Sequence, residues 1–281
     1  MPVTSDVDEA GFRNETASVG ETPSTDDNGS LPINELFVSL QGEGTLAGQP
    51  STFVRTAGCN LRCWFCDSYH TSWEPTGAWM DLDAIVDAVA SRDPDHVVVT
   101  GGEPLIHDGV VDLLHALDDR GYHLTVETNG TVVPPADAPI DLASVSPKLA
   151  SSTPTPERPP AGVDPADASV GEADLERWAE RHEADRIDPD ALATLVARYG
   201  TQMKFVVTGP DDLPEIEALV ASVRERLPST TGLADGDVLL MPEGQTRDRL
   251  AETRRVVDWL ERGYRYTPRL HVDLWNDAPE T

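Results

Sequence analysis

Apolar positions along this chain follow two rhythms in turn. Short β-branched runs closed by glycine, such as Val97-Val98-Val99-Thr100-Gly101 and Phe205-Val206-Val207-Thr208-Gly209, read as parallel strands covered on both faces. Strands are expected over 33–40, 51–57, 96–100, 123–127, 140–146, 203–208, 237–241 and 269–274. Between them the period lengthens to that of a helix. Leu82, Ile85, Val86 and Val89 share one face of a helix over 82–91, and further helices fit 109–120, 189–198, 211–226 and 246–262. Such alternation builds an α/β sheet or barrel. No helical period fits between Glu127 and Ile140, which argues against a complete eight-fold barrel. No internal repeat is present.

Two stretches break the rhythm. Residues 1–31 are acidic and almost without apolar periodicity, and are expected to be a disordered tail. Residues 150–188, rich in Pro, Ala, Asp and Glu, interrupt an otherwise regular pattern. They read as a surface insertion with a short helix over 175–184, inside a single domain spanning 32–281.

Charge changes the picture next. The chain has 281 residues, with 50 Asp and Glu against 21 Lys and Arg, a formal net charge of −29. Lysine occurs only as Lys148 and Lys204. Such acidity argues against a nucleic-acid or anionic-membrane surface. With 39% apolar residues in ordered patterns, the charge fits a folded protein of a high-salt cytoplasm, where salt screens self-repulsion. No run of apolar residues is long enough to span a bilayer and no secretory leader is visible, so a cytoplasmic protein is expected.

All three cysteines fall in Gly58-Cys59-Asn60-Leu61-Arg62-Cys63-Trp64-Phe65-Cys66-Asp67, just after an expected strand. Ligand sites of α/β folds gather at that end of a strand. A disulfide would strand the third thiol, and thiolates packed so densely need a cation or cluster to neutralise them. Two readings follow. Three thiolates leave one position of an iron–sulfur cluster open for chemistry; alternatively His70 completes a structural Cys3His zinc site with no catalysis.

Other strand ends carry chemistry too. Thr100-Gly101-Gly102-Glu103-Pro104 offers bare backbone for close ligand approach, and Glu103 or neighbouring carbonyls suit an ammonium. Glu127-Thr128-Asn129-Gly130 is a turn signal. Ser146-Pro147-Lys148 places one of the rare lysines at a strand end, where it suits a carboxylate. Lys204 opens another strand and reads either as a solvated cap or, with Lys148 and Arg55, as one of the rare positive charges that mark the site. Gly42-Glu43-Gly44 reads as a hairpin turn, and His271 as a strand histidine. Arg55 sits inside an apolar strand and must meet an anion there, either a partner carboxylate or a substrate.

Together these segments resemble the radical S-adenosylmethionine superfamily, and within it the 7-carboxy-7-deazaguanine synthases. The segments are Ser39-Leu40-Gln41-Gly42-Glu43-Gly44, the stretch from Phe53 through the cysteines to Ser68, Thr-Gly-Gly-Glu-Pro, Glu-Thr-Asn-Gly and Ser-Pro-Lys. The resemblance runs through most of 33–148 and 202–209. It implies a modified, incomplete (βα)6-type barrel with an N-terminal hairpin strand. It also implies a [4Fe–4S] cluster on Cys59, Cys63 and Cys66, whose open iron chelates S-adenosylmethionine and yields a 5′-deoxyadenosyl radical. Cofactor contacts would fall on Phe65, Cys66, Asp67, Gly102, Glu103, Ser146, Pro147 and Lys148. The substrate implied is 6-carboxy-5,6,7,8-tetrahydropterin, held by Leu40, Gln41, Gly42, Arg55 and Thr100. The family's terminus often reaches the site, which adds His271, Trp275 or the terminal Thr281. Ser68 stands where the family usually has a threonine ligand of Mg2+. The reaction implied is radical ring contraction with loss of ammonia, giving a precursor of archaeosine or queuosine, with an electron donor of ferredoxin or flavodoxin type and a homodimer. A radical activating enzyme that installs a glycyl radical on a partner protein is the alternative within the superfamily. Neither it nor the zinc module explains the Gln-Gly-Glu-Gly segment together with Arg55.

Overall fold

The computed structural model describes residues 29–72, 77–163, 171–253 and 263–276. Most of the expected tail and the end of the 246–262 helix lie outside them, as does Thr281. Nine strands form one sheet among the described residues, in the order β3-β1-β2-β4-β5-β6-β7-β8-β9. β1 (Ser30–Leu40) runs antiparallel to β2 (Pro50–Thr56) and to β3 (Ala78–Asp81). From β2 onward every pairing is parallel, through β4 (His96–Gly101), β5 (His123–Thr128), β6 (Leu142–Val145), β7 (Thr201–Val207), β8 (Val238–Pro242) and β9 (Arg265–Tyr266). β3 and β9 do not pair with each other, so the sheet is not closed by hydrogen bonds and the barrel is incomplete.

The helices follow the expected rhythm. A single turn, α1 (Tyr69–Ser72), ends the cysteine loop; α2 (Leu82–Ala90) and α3 (Gly109–Asp118) flank the first half of the sheet. α4 (Glu172–Asp185) lies in the insertion, and α5 (Pro189–Arg198) and α6 (Leu213–Arg226) flank the second half. α7 (Arg247–Thr253) and α8 (Leu270–Trp275) follow. Between β5 and β6 there is no helix, as expected. Two expectations are corrected, and two strands, β3 and β9, were not expected. The segment 269–274 is helical, because Leu274 is exposed and only Val272 on α8 is buried. Its alternation of leucine and valine is not backed by a strand partner. β1 begins at Ser30, so the chain enters the sheet with Leu31 already buried. β3 and β9 are too short to show a period.

The two-residue period of the strands sorts their side chains. Val54, Val97, Val99, Leu124 and Val126 face α2 and α3 in one apolar core. Ala143, Val145, Met203, Phe205, Val207, Val238 and Leu240 face α5 and α6 in a second. The alternate positions point the other way and are covered as well, as expected for these strands, with Val98 packing on Phe37 and Phe53 and Thr100 and Lys204 buried farther up. Low in this concave interior Ser51 Oγ lies 2.7 Å from His96 Nδ1 and Thr125 Oγ1 2.8 Å from His96 Nε2. Higher up the concave positions line a cavity of about 680 Å³.

Burial holds two histidines near pKa 4, His96 and His182. A histidine kept neutral in the fold is protonated more readily when unfolded, so stability falls as pH drops from the ordinary 6.5 toward 4. Between pH 7 and pH 5 the loss is about 2 kcal/mol for each. Urea unfolding at the two pH values in molar KCl should show it, and equal midpoints would contradict the buried neutral state.

Candidate functional site

The cavity opens at the C-terminal end of the parallel strands. Its wall includes Arg55 and Thr100 from β2 and β4, Glu127 from β5, Ser144 and Ser146 at β6, Lys204 from β7 and Met241 from β8. Each is the concave member of its strand's alternation. Of the residues expected at the site, Leu40, Gln41, Gly42, Arg55, Thr100, Cys59, Cys63, Phe65, Cys66, Asp67, Ser68, Gly102, Ser146 and Lys148 line it. Glu103 and Pro147 do not: both are buried behind the wall.

The cysteine loop crosses the mouth between β2 and α1. All three thiols are free. Burial pushes them up, Cys59 to about 12, with Cys63 and Cys66 raised as well, so a bound cation must displace their protons. Tetrahedral zinc at about 2.3 Å would need its thiolates about 4 Å apart. No three of Cys59, Cys63, Cys66 and His70 bring ligand atoms within 4.8 Å of one another. His70 instead approaches Glu35 at 3.7 Å. Three thiols, Cys63 buried and Cys59 and Cys66 half-buried, spaced too widely for one ion and facing an open cavity, fit the corner ligands of a multi-iron cluster.

Around the loop the motifs serve the chain as much as any ligand. A Cβ on Gly102 would stand 2.2 Å from the Gly58 carbonyl oxygen and 2.7 Å from Cys59 Cβ. That glycine therefore lets the β4 loop pass against the cysteine loop, an addition to the expected ligand approach. Glu103 accepts hydrogen bonds from Thr128 Oγ1 at 2.8 Å, Asn129 N–H at 2.6 Å and Leu105 N–H at 3.1 Å. Its carboxylate is committed to holding the β5 turn, which leaves the backbone of Gly101 and Gly102 as the part of this motif that lines the cavity. Asn129 in turn donates to Asn60 Oδ1 at 2.8 Å, tying the Glu-Thr-Asn-Gly turn to the cysteine loop. At β6 the Lys148 ammonium donates to Ser146 Oγ at 2.8 Å and to the Ser146 carbonyl at 2.9 Å.

The opposite wall is ionic. Arg55 lies 2.9 Å from Glu35 on the paired strand, with its guanidinium 5.2 Å above the Phe37 ring, which stacks on Phe53. Despite burial, His70 and Arg55 hold the Glu35 carboxyl below the usual range. Arg55 thus meets a carboxylate of the chain and still faces the cavity. Deeper, Lys204 pairs with Glu43 and lies 4.0 Å from Glu127, which accepts from Gln41 Nε2 at 3.1 Å and Thr100 Oγ1 at 2.9 Å. Arg269 bridges Glu43 at 3.2 Å to Asp67, and His271 stands 3.9 Å from Glu43. Against burial, Lys204, Arg269 and His271 hold the Glu43 carboxyl down at about 2.

This wall corrects three expectations. Lys204 is buried, not a solvated cap. Gly42-Glu43-Gly44 is no simple hairpin turn. The loop between β1 and β2 packs Gly42 on the His271 ring and Gly44 on the Gln202 amide, so a Cβ at either would collide. His271 is on a helix and lines the cavity. Glu35 and Arg269 escaped the sequence reading; Glu35 sits opposite Arg55 in the register of the antiparallel β1–β2 pair.

Comparison with known proteins agrees with this geometry. The Radical SAM superfamily profile matches residues 53–145, from β2 to β6. A crystal structure of QueE from Escherichia coli shares the fold, with a TM-score of 0.57 and 23% identity over 86% of this chain and 95% of that one. A 7-carboxy-7-deazaguanine synthase of Rhodopirellula baltica is 41% identical over 86% of both chains. One of Halobacterium salinarum is 61% identical over 91% of this chain and 94% of its own. Identity at that level, over nearly the whole length of both chains and spanning the cysteine loop and the ionic wall alike, places the chain in the 7-carboxy-7-deazaguanine synthase family.

Proposed function

We propose that this protein converts 6-carboxy-5,6,7,8-tetrahydropterin to 7-carboxy-7-deazaguanine by radical ring contraction with loss of ammonia. The observation that carries the proposal is the convergence, in one cavity, of three free thiols at the mouth with Arg55, Gln41 and Thr100 on the far wall. A [4Fe–4S] cluster on Cys59, Cys63 and Cys66, with S-adenosylmethionine, supplies the one-electron chemistry that removes a hydrogen atom from the substrate. Phe65, Gly102, Ser146 and Lys148 line the cofactor's side of the cavity, where the Lys148 ammonium suits its carboxylate.

The remaining residues orient the pterin. Arg55 offers a planar fork to the substrate carboxylate, steadied from behind by Glu35 and Phe37. Leu40, Gln41, Gly42 and Thr100 line the cavity beside it. Mg2+ fits next to Ser68, whose hydroxyl donates to Asp67 Oδ1 at 3.1 Å. Asp67 and Glu43, which together with His271 place ligand atoms within 4.8 Å of one another, offer the hard oxygen donors that suit that ion, as the His271 nitrogen does not. The family resemblance adds an electron donor of ferredoxin or flavodoxin type and a homodimer.

The test is anaerobic: reconstituted protein with dithionite, S-adenosylmethionine, Mg2+ and the carboxytetrahydropterin in molar KCl. Formation of 7-carboxy-7-deazaguanine is expected. Cofactor cleavage without that product would transfer the protein to another radical reaction, such as activation of a partner. In the same assay Arg55→Ala is expected to lower kcat/KM by about 10²- to 10³-fold, as loss of a buried charged contact does. Its iron content should be unchanged; loss of the cluster would make Arg55 structural.

A further inference from the structure

Helix α4 is strongly polar, with charged residues at eight of its fourteen positions. Among its residues one side chain alone is buried, and it is a histidine: His182, 1% exposed. A buried side chain on such a helix is held by what it bonds. His182 Nδ1 accepts the backbone N–H of Arg62 at 3.1 Å, inside the Cys59–Cys63 span. On the other side of the ring, Nε2 lies 2.8 Å from Ser152 Oγ, whose hydroxyl donates to the Leu149 carbonyl at 2.6 Å. One arrangement of protons satisfies all three contacts: neutral imidazole, with Nε2–H donating to Ser152 and Nδ1 free to accept.

The rest of the insertion reinforces this contact. Trp64 donates its ring N–H to the Ser151 carbonyl at 2.6 Å and its backbone N–H to the Ser152 carbonyl at 3.2 Å. Ala161 N–H donates to the Cys63 carbonyl at 3.3 Å, and the Arg158 guanidinium stacks 4.9 Å from the Trp64 ring. At the end of α4, Arg186 donates to the Lys148 carbonyl at 3.1 Å and to Glu215 on α6 at 2.5 Å. One element thus grips the cysteine loop on one side and the Ser-Pro-Lys segment on the other, both of which line the cavity.

We propose that the acidic insertion is a clamp on the cluster-binding loop, and that His182 is a positioning residue which fixes the loop by accepting the Arg62 amide. Amide groups near cluster sulfurs set a cluster's retention and potential, and an acceptor that takes one of them away decides which remain. The inference rests on the cluster reading under Proposed function.

Two conservative substitutions separate the two halves of the ring. His182→Asn places a side-chain acceptor where Nδ1 stood and loses the reach to Ser152. His182→Gln reaches Ser152 and leaves the Arg62 amide without its acceptor. Each protein is reconstituted anaerobically and followed by iron and sulfide content, by the spectrum of the reduced cluster in electron paramagnetic resonance, and by bleaching in air. The asparagine variant is expected to keep the wild-type spectrum and content. The glutamine variant should show a shifted spectrum and bleach about fivefold faster, with thermal midpoints of the two metal-free variants alike. Equal cluster behaviour of both variants, or loss in both in proportion to a fall in thermal midpoint, would overturn the proposal and leave His182 as core packing. Failure of both variants to fold would overturn it too. Failure of the wild-type protein to take up iron would instead overturn the cluster reading itself.

Discussion

Cys63→Ala should yield a folded, colourless protein whose rate of product formation falls by at least about 10⁴-fold, more than about 5 kcal/mol of barrier. The fold survives because the loop is held through its backbone and neighbours. The Cys63 carbonyl takes the Ala161 amide, Trp64 is anchored to Ser151 and Ser152, and the Arg62 side chain donates to the Cys59 and Leu61 carbonyls at 2.8 Å. Removing one sulfur from a nearly buried position costs the fold on the order of 1 kcal/mol. The metal site has no such reserve. Cys59 and Cys66 alone cannot hold three corners of a cluster, and no other thiol exists in the chain to replace Cys63. Iron and sulfide content and the visible absorbance after reconstitution measure the loss. A variant that retained a cluster and product formation would contradict the three-thiol site. One that carried a stoichiometric zinc would revive the structural reading.

How far the sequence foretold this site depends on the kind of signal. The cysteine spacing, the paired glycines after β4 and the lysine after β6 are local patterns, and the strands that carry them were legible from apolar runs that end in glycine. The ionic wall was not local. Glu35 and Arg55 are partners across a hairpin. Glu43, Lys204 and Arg269 come from β1's loop, β7 and the segment before α8; Glu43 lies 161 residues from Lys204 in sequence, and Arg269 is farther along the chain still. Nothing in a run of neighbours announces such a meeting. Lys204 looked like a cap because it stands near the start of a strand. It is in fact the concave member of the alternation in which Met203 and Phe205 fill the core. The rule that placed Met203 and Phe205 in the core also placed Lys204 inside the barrel, and a lysine there needs a carboxylate. The segment 269–274 failed for the opposite reason. Its period of two is a coincidence of leucine and valine at the sheet's far edge, where packing against the Gly42 loop, through Leu270 N–H to the Gly42 carbonyl at 2.8 Å, favours a helix. Glu103 shows a third case: the motif was legible, but which of its atoms are free depended on the turn of β5 that its carboxylate holds.

Glu43 is where the buried ionic wall can be tested as a unit. Glu43→Gln is expected to destabilise the protein by about 3 kcal/mol near pH 7, and two independent magnitudes agree on it. The carboxyl is held down at about 2 from an ordinary 4.5, which linkage converts to about 3 kcal/mol of stability at neutral pH. Breaking one member of a buried ion pair costs about 3–5 kcal/mol, because the partners keep their charge without compensation. Those partners are Lys204 and Arg269, at 6% and 4% side-chain exposure, so water cannot replace the lost carboxylate. Glutamine keeps the shape and the acceptor oxygen, which isolates the charge from the packing on Gly42 and Gly44. The sign of the pH dependence gives the sharper check. A carboxyl whose folded pKa is depressed contributes its stability above 4.5 and loses it as pH falls from 4.5 toward 2. The wild-type curve should therefore fall more steeply in that window than the variant's, which keeps only the share of Asp67, Glu35 and Glu183, whose carboxyls are also held down. Both share the histidine-driven decline between pH 7 and pH 5. The thermal midpoint at neutral pH should fall by roughly 6–12 °C. If the variant were as stable as the wild type at pH 7 and the two curves ran parallel below 4.5, Lys204 and Arg269 would not depend on Glu43, and the wall would be a set of separate contacts.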